Sequence, residues 1–264
     1  MGVLKYYIAL LFNLLCYMHS SAQHIGRGDF YDSAKYYDFS KIWHGDSILN
    51  LEYVDDTFGM DPKYFPFPEP LGFIGDNYQR FYIHFITVKK SKQNPYQYTV
   101  VGKTRVKGNI CSLKGLITID TACFDLDTTE PFVSAKLRKG YVICSCVFNE
   151  NKSSKNSGII TGSLGTDWCL YNGQICYDNI MGVADGYSNN EFKGKWKSYI
   201  GNTVKKCNWG EYRIPGCGDL DIGAGEFSPD DKYLKNGWQS YREQYDQTEA
   251  GRKANAIENA KWWR

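Results

Sequence analysis

Tyr141-Val142-Ile143-Cys144-Ser145-Cys146-Val147-Phe148 is a run of β-branched, aromatic and small residues that ends in the polar stretch Asn149 to Ser157. Side chains two apart share one face of a strand, so Cys144 and Cys146 point the same way. A polar stretch of this kind tips a hairpin, and Ile159 to Leu164 resumes the strand pattern behind it. Outward from there the pattern repeats. Phe81 to Val88 is a continuous apolar and aromatic run, separated by a polar turn at Lys89 to Pro95 from Tyr96 to Val101. Lys103 to Ile110, Leu113 to Phe124 and Trp168 to Tyr177 complete the series. Segments spaced by about 8 to 15 residues and broken by Gly, Asn and Ser fit an antiparallel meander. No helical periodicity appears between residues 80 and 180. The expected fold is mainly β, an antiparallel meander barrel or sandwich of about six to nine strands, with a C-terminal helical segment.

The flanks differ from this centre. Lys5 followed by the largely apolar stretch from Tyr6 to Met18, then Ser20-Ser21-Ala22, reads as a secretory signal over residues 1–22 cleaved after Ala22. The stretch falls short of the roughly 20 apolar residues that a membrane-spanning helix needs, and no later stretch reads as a span. Residues 23–79 are irregular: Pro62, Pro66, Pro68 and Pro70 alternate with Tyr64, Phe65 and Phe67, which suits an extended segment packing on the domain at 80–227. Over 228–264, Ser228-Pro229-Asp230-Asp231 is a helix start, with Tyr233, Leu234, Trp238, Tyr241 and Tyr245 available for burial and Gly237 as a weak point. Thr248-Glu249 opens a second segment that ends in Trp262-Trp263.

Thirty-one Lys plus Arg against 29 Asp plus Glu leave the chain nearly neutral, which argues against a nucleic-acid partner. Hydrophobic residues at 42% exclude a disordered chain. Apart from Cys16 in the leader, the cysteines are Cys111, Cys123, Cys144, Cys146, Cys169, Cys176, Cys207 and Cys217. An even set in an exported chain favours disulfides, with Cys169–Cys176 and Cys207–Cys217 as the local pairs, each bracketing a Gly-containing turn. Zinc is disfavoured by the lack of Cys-x-x-Cys and by His24, His44 and His84 being scattered. No cofactor is implied.

The densest chemistry runs from Phe192 to Trp238. Glu211 and Glu226 are a candidate carboxylate pair for glycoside hydrolysis. Asp219 and Asp221 are a candidate calcium loop, although Ala224 stands where such a loop needs its tight-turn glycine. The remaining reading is structural: Arg213 pairs with a carboxylate and Trp209 packs beneath. Gly45-Asp46-Ser47-Ile48-Leu49 resembles the nucleophile motif of GDSL esterases, but no Asp-x-x-His follows to supply the base. Phe192-Lys193-Gly194-Lys195-Trp196 is similar to the Gly-x-Trp signature of lipocalins, displaced from the first strand to near the end of the chain, and implies a barrel-like strand. The run from Tyr98 to Cys111 and the block from Phe192 to Trp238 resemble elements of a family of exported, β-rich bacterial proteins to which no activity is assigned. That resemblance implies export and a β-rich fold.

The resulting expectation is a secreted or periplasmic, non-enzymatic binding or interaction protein that meets carbohydrate or another envelope component. Its surface is expected around Trp196, Trp209, Glu211, Arg213 and Glu226. The alternatives are a glycan-acting hydrolase using paired carboxylates and a barrel carrying a small apolar ligand.

Overall fold

The computed structural model describes residues 26–51, 64–125 and 137–264. The leader, Cys16, His24 and Pro62 lie outside the described residues. Eleven strands are present among the described residues: β1 Ser47–Leu49, β2 Tyr64–Pro66, β3 Leu71–Ile74, β4 Gln79–Lys90, β5 Gln97–Val106 and β6 Asn109–Phe124, followed by β7 Leu137–Glu150, β8 Gly158–Tyr171, β9 Gln174–Tyr177, β10 Asn189–Ser198 and β11 Val204–Glu211. The α-helices are short: α1 Tyr31–Ala34, α2 Ser40–Trp43, α3 Gln239–Glu243 and α4 Glu249–Glu258.

Strands β3, β4, β5, β6, β7, β8, β10 and β11 form an eight-stranded antiparallel barrel. Each strand pairs with the next around the ring, and β11 closes on β3 through Cys207–Ile74 and Trp209–Gly72. The short strand β9 continues the edge of β8 beyond β10, joined by Asn172-Gly173 with both residues at positive φ. Asn-Gly suits that two-residue hairpin because its backbone twist requires positive φ. Register shifts at Phe85/Thr87 and Ile119/Thr121 bend β4 and β6 around the ring.

The clearest alternation is in β7. Val142, Cys144, Cys146, Phe148 and Glu150 are buried inside the barrel, while Tyr141, Ile143, Ser145, Val147 and Asn149 face outward. The same phase brings Phe192, Trp196, Trp209, Leu164, Ile117 and Tyr98 into one core. An eight-stranded barrel has an interior only wide enough for side chains or one small ligand, and most of this one is filled with side chains. Phe192 stacks on Trp209 at 3.6 Å. That stack explains Gly194. A Cβ there would sit 2.5 Å from the Phe192 ring and 2.4 Å from the Thr161 carbonyl, so only glycine fits between two inward aromatic residues.

One end of the barrel is plugged by residues 26–51. Phe30, Phe39, Ile42 and Trp43 are buried there. The Trp43 indole N–H donates to Thr166 Oγ1 at 2.9 Å, and the Phe39 amide donates to the Tyr98 hydroxyl at 3.0 Å. A second, smaller core lies outside the barrel, where Leu71, Phe73, Ile214, Leu220, Phe227 and Trp238 pack together. Arg80 ties it to α4: its guanidinium lies 4.2 Å from the Trp238 ring centroid and 3.3 Å from the Glu258 carboxylate.

The structure corrects several expectations. Leu71–Ile74 is a barrel strand, so the barrel begins inside the segment read as irregular. Lys103 to Ile110 is not a separate strand. It is the end of β5, a two-residue turn at Lys107-Gly108 and the start of β6. The helix expected from Pro229 is a 3-10 turn over Asp231–Asn236, capped by Asp230 accepting from the Lys232 amide. Gly237, at φ 98°, ends that turn before α3. Thr248 does cap α4, accepting from the Gly251 amide at 3.0 Å, and Trp262 and Trp263 dock on β4 against Tyr82 and His84.

Candidate functional site

The two ends of the barrel are chemically different. The hairpin tips at 75–78, 107–108, 151–157 and 199–203 all lie at the end opposite the plug. Between them opens a cavity of about 860 Å³. Its floor is made by Ile74, Phe81, Thr104, Val106, Glu150 and Trp196, all projecting from barrel strands. Its walls carry the amide and hydroxyl groups of Asn77, Gln79, Asn109, Asn156, Ser198 and Thr203, together with Tyr199. Four lysines also line it: Lys107, Lys152, Lys155 and Lys205.

Glu150 is the centre of the floor. It ends the inward series of β7, so strand period alone carries a carboxyl into the barrel. Buried acids require partners, and this one has three. The Thr104 hydroxyl and the Gly158 amide donate to it, the latter at 2.8 Å, and the Trp196 indole N–H donates at 2.9 Å. Gly158 is fixed by the same contact, since a Cβ there would lie 2.7 Å from the Trp196 ring. The Tyr199 hydroxyl donates to the Glu150 carbonyl at 3.1 Å and holds the β10–β11 tip over the floor. The thiols of Cys111 and Cys207 are pushed up by burial and then by the Glu150 carboxylate beside them. They are protonated at neutral pH and poor nucleophiles.

The plugged end has its own buried acid. Glu211 is 1% exposed. The Tyr177 hydroxyl donates to its Oε2 at 2.5 Å, and Asn190 Nδ2 donates to its Oε1 at 2.9 Å. Asn190 also donates to the Ile42 carbonyl and accepts from Thr166, so Glu211 belongs to the network that fastens the plug. Burial pushes its carboxyl up to about 8, with the two hydrogen bonds opposing the rise. The cavity it lines is about 40 Å³, room for a few waters. Beside that cavity His84 contacts Glu69 at 3.0 Å and stacks on Trp263, while burial lowers the pKa of His44.

The residues that the sequence groups as one surface are therefore distributed. Trp196 lies in the floor of the open mouth. Trp209 and Glu211 share the small cavity near the plug. Arg213 lies outside the barrel, pairing with Asp221 at 2.6 Å and donating to the carbonyls of Gly223, Ala224 and Gly225. Glu226 is exposed on the loop that Arg213 gathers, and it does not line the cavity of Glu211. Asp219 is held by Lys232 and Tyr233, whereas Asp221 accepts from Arg213 and from the Gly223 and Ser228 amides. The two carboxylates of the calcium reading thus turn to different protein donors, and the described residues hold no group of three or more metal-ligating side chains. Ser47 begins a three-residue strand paired with Pro66, and no histidine bonds its hydroxyl among the described residues.

All eight described cysteines are free thiols. Cys111, Cys144, Cys146, Cys169 and Cys207 are buried. Cys207 faces the barrel interior and Cys217 the outer core, so the wall of β11 separates that pair. Cys169 and Cys176 are directly opposite one another on β8 and β9. Among the described residues no helix is long and apolar enough to cross a membrane. No family model, no curated protein and no solved structure matches the chain.

Proposed function

We propose that this chain is an exported, non-enzymatic binding protein that holds a carbohydrate-type ligand in the open mouth of its barrel. One observation carries the reading: a cavity of about 860 Å³ whose walls are amide and hydroxyl side chains and whose floor sets Trp196 beside Glu150. Saccharides present hydroxyls to such walls and flat apolar faces to aromatic rings, and ligand sites are concavities of this size range, about 300–1,000 Å³. The polar walls favour a saccharide over a purely apolar cargo. The hydrolase alternative has less support, because Glu211 serves the plug and Glu226 stands in solvent away from its cavity.

Export rests on the leader-like residues 1–22 and the resemblance to exported β-rich proteins. In an oxidising compartment Cys169 and Cys176 are the pair whose register suits closure, since directly opposite residues on antiparallel strands have Cα atoms about 4.5–5.5 Å apart. Mass spectrometry after thiol blocking would show that pair joined and Cys207 and Cys217 unjoined.

The test is a thermal-shift panel on the leader-free chain with oligosaccharides, fatty acids and calcium. A ligand at about 100 times its dissociation constant adds about 2.7 kcal/mol, which for a domain of this size is a shift of several degrees. A shift with saccharides that disappears in Trp196→Ala supports the reading. A shift with fatty acids alone, or a saccharide shift that survives Trp196→Ala, overturns it.

A further inference from the structure

We infer that the saccharide held in the mouth is acidic, a carboxylated or sulfated glycan whose anions are met by Lys107, Lys152, Lys155 and Lys205. The inference rests on the mouth being the site proposed above and adds the charge of its occupant.

The first observation is that three separate parts of the chain deliver one kind of charge to one rim. Lys107 comes from the β5–β6 turn, Lys152 and Lys155 from the β7–β8 tip and Lys205 from the start of β11. All four are exposed. None of the four has an acidic side chain within ion-pair distance among the described residues, so the rim's charge is not cancelled locally. The one carboxylate in the lining, Glu150, is occupied by Thr104, Gly158 and Trp196 at the floor and does not neutralise the rim. Lys152 Nζ lies 5.4 Å from the Tyr199 ring and Lys205 Nζ 6.0 Å from the Trp196 ring, so ammonium and aromatic face are presented together. A sugar acid offers both complements at once: an apolar ring face for the aromatic residue and an anion for the lysine.

The second observation concerns the outside of the same wall. Lys193, Lys195 and Lys197 project outward from β10, and Lys206 stands opposite Lys195 on β11. Like charges directly opposed across an antiparallel pair are destabilising. The positions paired with 193–197 on β8 and β11 hold no Asp or Glu to relieve them. An anionic chain leaving the mouth across the β10–β11 tip would meet this face next. Chemistry of this kind favours a polymer with repeated anions over an isolated small acid.

The test is titration calorimetry of the leader-free chain with polygalacturonate, alginate and heparin, beside uncharged dextran and laminarin. A single-stranded oligonucleotide and vesicles with and without phosphatidylglycerol complete the set. Two quadruple variants are compared, one changing Lys107, Lys152, Lys155 and Lys205 to Gln and the other changing Lys193, Lys195, Lys197 and Lys206 to Gln. Changes at exposed lysines leave the melting temperature near that of the parent, so lost binding will not mean lost fold. The expected result is binding of at least one acidic glycan, weakened by salt and lowered about tenfold or more by the rim variant. Equal binding of uncharged glycans, abolished by Trp196→Ala, overturns the charge inference and leaves the mouth reading standing. Tighter binding of the oligonucleotide or of anionic vesicles than of any acidic glycan also overturns it, as does affinity that only the outer variant lowers. No binding of any glycan overturns both readings.

Discussion

Each end of this barrel buries a glutamate, and the two do different work. At the plugged end Glu211 is enclosed with Tyr177 and Asn190 under Trp43, and burial raises its pKa to about 8. At the open end Glu150 is 5% exposed and is held by a hydroxyl, an amide and an indole N–H at the floor of a large cavity rimmed with lysines. The same residue type fastens a seal in one place and sits at the floor of an open cavity in the other. What separates them is the chain around them: residues 26–51 cover one end, and only hairpin tips stand over the other. Burial of a carboxyl alone therefore does not tell the two ends apart; what lies around it does, a plug at one end and an open cavity rimmed by lysines at the other.

This contrast can be broken at several points. The largest effect belongs to Glu211. The unfolded chain releases its proton near 4.5 and the folded protein keeps it up to about 8, so native stability falls as pH rises through that window, by about 4–5 kcal/mol in total. Glu211→Gln is expected to flatten this dependence in denaturant titrations repeated across pH; an unchanged slope would show that the plug does not depend on a neutral carboxyl. Trp209→Ala removes the ring stacked on Phe192 and is expected to cost about 3–5 kcal/mol without altering the mouth. Gly194→Ala forces a methyl against that same ring and the Thr161 carbonyl, at about 1–3 kcal/mol. Trp196→Phe deletes one donor to Glu150 and is expected to cost about 1–2 kcal/mol, with loss of ligand affinity exceeding the loss of stability. The four rim changes to Gln are the smallest in stability, within about 0.5 kcal/mol each. If they instead unfold the barrel, the rim is structural and the contrast between the ends fails.

Much of the barrel is written in the sequence. β7 alternates without interruption from Val142 to Glu150, and the polar tip at 151–157 marks a hairpin in plain residue chemistry, whereas the segment read as one strand from Trp168 to Tyr177 is the end of β8, a turn at Asn172-Gly173 and β9. β3 is hidden for a physical reason: Leu71, Gly72, Phe73 and Ile74 are all buried, because the barrel core covers one face and the outer core the other. A strand covered on both faces has no alternation to read. The plug was equally obscure, since short helices such as Tyr31–Ala34 exist through tertiary contact rather than local propensity. Of the candidate site, Trp196 stood among the aromatic residues of the expected surface, and Glu150 could have been found by continuing the β7 phase past Phe148. The lysine rim could not. Lys107, Lys152, Lys155 and Lys205 are spread over more than a third of the chain, closure of the ring alone brings them together, and a near-zero net charge conceals the local excess.

The most direct test is a nitrogen–proton correlation spectrum of the leader-free chain titrated with an acidic oligosaccharide, in which the Trp indole N–H signals are read separately. The predicted result is displacement of the Trp196 indole signal and of amides at 107–109, 151–157 and 199–203, with the Trp43 and Trp209 signals unmoved. Shifts centred on Trp43, Trp209 and His84 would place the ligand at the plugged end and contradict the account.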